Sequence, residues 1–220
     1  MEKLAKIEKP APLSTIAYNA LRESILSFHL EQGTIYNEVA VSQNLGLSRT
    51  PVREALLKLA AQGMVTFLPR KGFIVTSYTL EDVEEIFELR GMIETSVARK
   101  VARSITPASL DTLKSYISIQ KKAAREKDHY QFMISDREFH NYFFKLANNS
   151  RLLTITDNFQ DMCHLMGTNV LRDETNYKKT IHEHEQIVSA LKAHDPENAE
   201  KTVKRHLSMV KEIVKMTLKE

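Results

Sequence analysis

The sequence predicts a mainly α protein: an N-terminal winged helix-turn-helix followed by an antiparallel six-helix bundle. The run Leu45-Gly46-Leu47-Ser48-Arg49-Thr50-Pro51-Val52-Arg53-Glu54-Ala55-Leu56 reads as a turn leading into a helix. Two short β-rich runs, Met64–Leu68 and Phe73–Thr76, flank the turn Pro69-Arg70-Lys71-Gly72. Beyond Thr79, apolar residues recur at helical spacing through six segments, and no stretch reads as a strand.

Residues 1–12, with Lys3, Lys6, Lys9, Pro10 and Pro12, are expected to form a flexible arm. Residues 13–77 are expected to form the first domain and residues 78–220 the second. In the first, Ala17, Leu21, Ser24, Ile25 and Phe28 mark a helix, Gly33 ends the turn after it, and Glu38–Leu45 makes a short second helix. Ser48 is expected to cap the third with its hydroxyl. Pro51 falls in the first turn, where a missing N–H does no harm. Val52, Ala55, Leu56 and Leu59 give that helix one apolar stripe. Arg49 and Arg53 lie beside the stripe at the leading end, placed to enter a DNA major groove. Arginine suits a guanine edge, each good bidentate pair giving about 1–3 kcal/mol of discrimination. Arg70 and Lys71 at the tip of the wing suit phosphates or a minor groove, with Gly72 allowing close approach.

In the second domain, Thr79 with Asp82 opens a helix by a capping box. The helix runs to about Arg103 on Val83, Ile86, Phe87, Ile93, Val97 and Val101. Thr106-Pro107 opens the next, to about Glu126, and Asp128 a third, to about Ala147. Asn148-Asn149-Ser150 breaks the chain. A fourth helix spans about Arg151–Val170, a fifth about Asn176–His194, and Asp195-Pro196 caps the sixth. Short connectors between six such helices argue for an antiparallel bundle.

Composition narrows the function. The net charge is +3, and residues 1–79, with nine basic and six acidic side chains, carry all of it. A mildly basic head joined to a neutral bundle fits a nucleic-acid reader attached to something else. The lone cysteine, Cys163, forbids an internal disulfide and points to a reducing cytoplasm. The N-terminus lacks the apolar core of a signal peptide, and no apolar run approaches the roughly 18 residues of a membrane span, so no membrane partner is expected.

Four polar residues stand where apolar ones belong. Asp136 and His140 share the face drawn by Phe132, Met133, Phe139, Phe143 and Ala147. His184 sits among Ile181, Ile187, Val188 and Leu191, and His206 among Val203, Val210, Ile213 and Val214. A buried carboxylate costs several kcal/mol unless paired or coordinated. One such histidine is ordinarily a core residue with a backbone partner. A carboxylate and three imidazoles from three helices also suit a divalent cation, Zn²⁺, Ni²⁺, Mn²⁺ or Fe²⁺. Periodicity alone leaves both readings open.

His182-Glu183-His184 does not make a zinc-protease helix, because Gln186 stands where the second histidine belongs. His182 is expected to be exposed beside the site. His164, spaced with Gln160, Asp161 and Thr168, is expected to face solvent. His29, His129 and His194 fall near helix ends and read as structural. Cys163 is expected to pack with Phe159 and Met166 as a small buried hydrophobe.

The run from Leu45 to Leu56, with Leu59, Gly63-Met64-Val65 and Gly72-Phe73-Ile74-Val75, resembles the DNA-binding domain of the GntR family of bacterial transcription regulators. The resemblance implies that Arg49 and Arg53 read bases, with Ser48 and Thr50 beside them in the DNA-binding surface, and that Arg70, Lys71 and Gly72 hold the adjacent groove. Val39 stands where some relatives carry a further base-reading arginine, so operator preference is expected to differ. The bundle resembles the FCD effector domain of the FadR branch, and its six helices the shorter VanR-like subgroup. Asp136-Arg137-Glu138-Phe139-His140, Asn149, Glu183-His184-Glu185-Gln186-Ile187 and Arg205-His206-Leu207 match its elements. The resemblance implies a divalent metal on Asp136, His140, His184 and His206, with Zn²⁺ or Ni²⁺ ahead of Mn²⁺ or Fe²⁺. It also implies a small carboxylate effector beside the metal. Arg90 matches an arginine of the first bundle helix that could take such a carboxylate bidentately, while a salt bridge to Glu94 is the competing role.

Together these readings predict a cytoplasmic, homodimeric, metabolite-responsive bacterial repressor on a palindromic operator with a GT…AC-type core, released by a small organic acid. Two rivals remain at this level: a DNA-binding protein whose bundle is only a metal-stabilised dimerisation module, and a metal-dependent enzyme with a DNA-binding appendage. No spacing identifies a general base for the latter.

Overall fold

A computed structural model describes residues 10–167 and 174–218. The chain divides into two compact units, Met1–Ser77 and Tyr78–Glu220.

In the first unit the order is α1 (Leu13–Leu26), β1 (Ile35–Tyr36), α2 (Glu38–Asn44), α3 (Arg49–Ala61), β2 (Val65–Leu68) and β3 (Gly72–Val75). Helix α1 packs on α3. Ala17, Leu21 and Ile25 of α1 are fully buried, as are Val52, Ala55, Leu56 and Leu59 of α3, with Met64, Phe73 and Val75 below them. Burying several such side chains at about 1.5–3 kcal/mol each is what holds this small unit. Asn37 caps α2, its side-chain oxygen accepting from the N–H groups of Val39 and Ala40. Ser48 takes the cap position of α3 but makes no side-chain cap bond, so its expected hydroxyl contact is absent. Phe28 is not on the first helix: α1 ends at Leu26 and Phe28 turns the chain at φ 62°.

The sheet has three antiparallel strands in the order β1-β3-β2, one more than the two β-rich runs predict. Residues Val65, Thr66, Phe67 and Leu68 oppose Val75, Ile74, Phe73 and Gly72, while Ile35 and Tyr36 pair with Ile74 and Phe73. A two-residue strand has no periodicity to read. It also changes the reason for Gly72. At φ 126° a Cβ on Gly72 would lie 2.1 Å from the carbonyl oxygen of Tyr36, so glycine is required here by the neighbouring strand and not only by approach to a ligand.

In the second unit the order is α4 (Leu80–Ala102), α5 (Pro107–Glu126), α6 (His129–Leu146), α7 (Ser150–Gly167), α8 (Glu174–Lys192) and α9 (Pro196–Thr217). The caps fall where the sequence puts them. The Thr79 hydroxyl accepts from the Asp82 N–H, and the Asp82 carboxylate accepts in return from the Thr79 N–H. Thr106, Asp128 and Asp195 cap α5, α6 and α9. Asn149 accepts from the N–H groups of Arg151 and Leu152 at the start of α7. The predicted end of that helix at Val170 lies outside the described residues. Helix α4 packs along α9, α5 lies between α6 and α8, and α8 also meets α9. The faces of α4, α6, α8 and α9 thus surround one interior, lined by Phe132, Phe139, Phe143, Leu191 and Val203.

Gly72→Ala is expected to destabilise the first unit by about 2 kcal/mol or more, since the new methyl group meets a backbone atom and not a movable side chain. Urea unfolding of the full chain checks it, with the loss confined to the transition that abolishes DNA binding.

Candidate functional site

Helices α6, α8 and α9 carry His140, His184 and His206 inward. The three residues are 4%, 0% and 1% exposed. Each offers a ligand atom, and these atoms all lie within 4.8 Å of one another. The ring centroids are 5.3 Å apart for His140 and His184, 5.4 Å for His140 and His206, and 4.9 Å for His184 and His206. Phe139 stacks on His184 at 4.1 Å and closes one side. Asp136, one turn before His140, is set apart from this trio. Its Oδ1 lies 3.7 Å from Nε2 of His184, and its side chain retains 28% exposure.

The polar atoms here are under-satisfied. Nε2 of His184, both ring nitrogens of His206 and Oδ1 of Asp136 are buried without a hydrogen-bond partner. Nδ1 of His184 faces the side-chain oxygen of Gln120 at 3.0 Å. Nδ1 of His140 lies 3.3 Å from Oε2 of Glu94, a charge contact whose alignment falls short of a hydrogen bond. Burial, reinforced by the neighbouring imidazoles and by Arg90, holds His184 and His206 well below the usual histidine pKa. Both are therefore neutral and able to ligate. Burial pushes the Asp136 carboxyl up, against the partial opposition of His140 and Arg90. The donor set fits a divalent cation: three imidazoles converge, a carboxylate stands nearby, and Nε2 of His184 and both ring nitrogens of His206 lack a hydrogen-bond partner.

Beside the histidines lies a cavity of about 50 Å³, walled by Arg90, Asp136, Arg137, His140, Gln160, Cys163, His164, Thr180 and His206 among others. Arg90 makes the expected salt bridge to Glu94 and also stands at the cavity wall. Its Nε donates to Oε1 of Glu94 at 2.7 Å, and its guanidinium stands 4.9 Å from the Phe87 ring centre. Burial alone would raise the Glu94 carboxyl, but Arg90 and His140 outweigh it and hold the group well below the usual carboxylate range.

Two expectations need correction. His164 does not face solvent: it is 6% exposed and forms part of the cavity wall, with Gln160 and Asp161 also buried. Its polar neighbours at helical spacing mark a polar interior, not a wet surface; Thr168 lies outside the described residues. Cys163 is half-buried and lines the cavity, whereas Phe159 and Met166 are packed away. Burial raises its thiol pKa to about 11. His182 is exposed. His129 contacts the Tyr177 hydroxyl and His194 faces the carbonyl of Ala102, both structural. Gln120 and Glu94 also face this cluster, the former not anticipated from the sequence and the latter anticipated only as the partner of Arg90. A signal existed for Gln120, which interrupts the buried row Leu113, Ile117, Gln120, Ala123 on α5.

In the first unit, Ser48, Arg49, Thr50 and Arg53 are exposed along α3, and Arg70 and Lys71 are exposed at the wing tip. Arg49, Arg53, Arg70, Lys71 and Gly72 line one groove. Arg70 adopts φ 64°, which turns the tip. Arg53 Nη1 lies 3.0 Å from Oε2 of Glu38, and its guanidinium stands 5.8 Å from the Phe67 ring centre. Val39 lies on the same groove.

Known proteins share both units. The family model described as the FCD domain matches residues 85–209, and that of the bacterial regulatory proteins of the gntR family matches residues 13–75. The HTH-type transcriptional regulator YdhC of Bacillus subtilis (strain 168) is 26% identical over 216 residues, covering 98% of this chain and 96% of its own. The HTH-type transcriptional repressor RspR of Escherichia coli (strain K12) is 27% identical over 209 residues, covering 95% and 92%. The solved structure of E. coli McbR/YncC superposes with a TM-score of 0.83 at 20% identity, covering 94% of this chain and 99% of that one. One family model spans more than half of the chain and the other its winged helix; the chain therefore belongs to the FCD-domain regulators of the gntR family, which are DNA-binding transcription regulators and not enzymes.

Proposed function

We propose that this regulator is a homodimeric repressor whose bundle binds a divalent cation on His140, His184 and His206, with Asp136 at the edge of that set. A small organic acid, held in the adjoining cavity against Arg90, releases the operator. The observation that carries the reading is the unsatisfied nitrogen set of three fully buried, mutually close imidazoles. Leaving a buried polar group without a partner costs about 1–3 kcal/mol. Several of them in one place are tolerable if a cation satisfies them together. Imidazole donors favour Zn²⁺ or Ni²⁺, and the nearby carboxylate keeps Mn²⁺ and Fe²⁺ in range. Bound there, such an ion supplies a Lewis-acidic contact for a carboxylate oxygen.

The chain's own contribution is to orient and select. Arg90 offers a guanidinium at the cavity wall, suited to a carboxylate. Gln160 and Thr180 add polar contacts, while Val210, Ile213 and Val214 form an apolar side. A cavity of about 50 Å³ suits a compact acid. On the DNA side, Arg49 and Arg53 are placed to read bases, with Ser48 and Thr50 beside them and Arg70, Lys71 and Gly72 at the adjacent groove. One reading head contacts only a few base pairs, so two heads on a palindrome supply useful specificity. The repressor sense is supported by the name borne by RspR.

His184→Ala or His206→Ala is expected to lower the bound metal from about one ion per chain to well below that, because each removes one ligand of the set. Elemental analysis of the purified variants reads this directly; full occupancy in both would remove the ligand assignment. Arg49→Ala or Arg53→Ala is expected to cut the preference for operator over random DNA by about 1–3 kcal/mol while leaving the fold intact. Competition binding at fixed salt, with circular dichroism as the fold control, measures it. The metal-free chain is expected to lose stability as pH falls below about 6.5. There the unfolded chain binds protons on His184 and His206, whereas the folded chain, whose histidine pKa values lie well lower, does not. Melting temperatures in a chelator across pH 5.5–7.5 test this, and a slope unchanged in the His184→Ala/His206→Ala pair would remove the assignment.

A further inference from the structure

Glu94 is placed in a way that a plain structural ion pair does not need. It is 1% exposed, midway along α4. One carboxylate oxygen accepts from Nε of Arg90 at 2.7 Å, which by itself balances the buried guanidinium. The other oxygen is turned to Nδ1 of His140, 3.3 Å away on a different helix. A carboxylate at that nitrogen draws the imidazole proton to Nδ1 and leaves Nε2 bare. Gln120 stands in the same relation to His184, its side-chain oxygen 3.0 Å from Nδ1 while Nε2 is left without a hydrogen-bond partner. Two histidines of the trio thus have an acceptor behind the ring, the arrangement that presents the far nitrogen to an ion.

We propose that Glu94 is a positioning residue for the metal: it fixes the tautomer and orientation of His140, and through Arg90 it ties that ligand to the wall of the cavity. The proposal rests on the metal reading given above. A neutral acceptor would hold the ring less firmly and would make the imidazole a weaker donor.

The test uses the full chain and zinc alone. Glu94→Gln keeps the side-chain volume and removes the charge. Competition with a chromogenic chelator is expected to show Zn²⁺ bound about 10–100-fold more weakly, and the visible absorption of the Co²⁺ form is expected to change. Val101→Ala, buried two turns further along α4, is the control for destabilisation alone. It is expected to melt earlier yet bind Zn²⁺ within about threefold of the parent, because effects at separated sites are independent. If Glu94→Gln does not fold because Arg90 has lost its counter-ion, the Arg90→Met/Glu94→Gln pair removes both charges and is expected to show the same loss of affinity. Zn²⁺ binding within about threefold of the parent in whichever of these variants folds would overturn the proposal, as would an equal loss in Val101→Ala. A parent chain that takes up neither Zn²⁺ nor Co²⁺ would remove the metal reading itself, a result distinct from a parent that binds and a Glu94→Gln that binds equally well.

Discussion

The distal bundle is organised by the cost of keeping polar groups dry. Its interior holds three imidazoles, an ion pair between Arg90 and Glu94, and the amide of Gln120, all nearly or fully buried. An apolar core of equal volume would be simpler to build and no less stable, since the desolvation of a buried ion pair commonly cancels its attraction. The groups are not scattered. The Glu94 carboxylate is turned to Arg90 and His140 and the Gln120 oxygen to His184, and among the buried nitrogens without a hydrogen-bond partner are those of the three histidines that converge. Such a pattern costs stability unless a partner satisfies those nitrogens. A ligand or cation that bound there would therefore also contribute to the stability of the domain.

Sequence patterning made four of the bundle helices legible because two independent signals agreed for each. Thr79 with Asp82, Thr106-Pro107, Asp128 and Asp195-Pro196 are chemical start signals, and the apolar period after each is long enough to fix a face. The three histidines were visible for the same reason: a polar residue on a well-drawn apolar face stands out. What escaped were features that depend on a partner from elsewhere. Strand β1 has two residues and exists because β3 offers it an edge. The need for glycine at position 72 comes from the carbonyl of Tyr36, which no local pattern encodes. His164 was misread because polar neighbours at helical spacing signal solvent only when the surrounding interior is apolar, and here the cavity wall is itself polar. Glu94 was legible only as the i,i+4 partner of Arg90; its second contact runs to another helix.

The reading head shows a milder form of the same economy. Arg53 is placed by Glu38 and by the ring of Phe67, yet it remains largely exposed, with 58% of its side chain open to solvent. An exposed ion pair is worth about 0–1 kcal/mol, so the contact can aim the guanidinium without holding it back from a stronger acceptor. A base edge that offers two acceptors in one plane is such an acceptor. Glu38 also contributes a negative charge to the groove lined by Arg49, Arg53, Arg70 and Lys71.

Helix α4 is where the two functions meet in the sequence. It begins at Leu80, just past the division between the units at Ser77 and Tyr78, and its capping box fixes how the chain enters it. Arg90 and Glu94 lie on the same helix, roughly 15 and 21 Å along its axis from that entry. A ligand that engages Arg90 therefore acts on a rigid element whose near end is the start of the effector unit. For such a ligand to alter DNA binding it must favour one arrangement of that element over another, and by the same free energy DNA must alter the ligand's affinity. The placement of Glu94 between Arg90 at the cavity wall and His140 of another helix links the two sides of the bundle interior through one buried carboxylate.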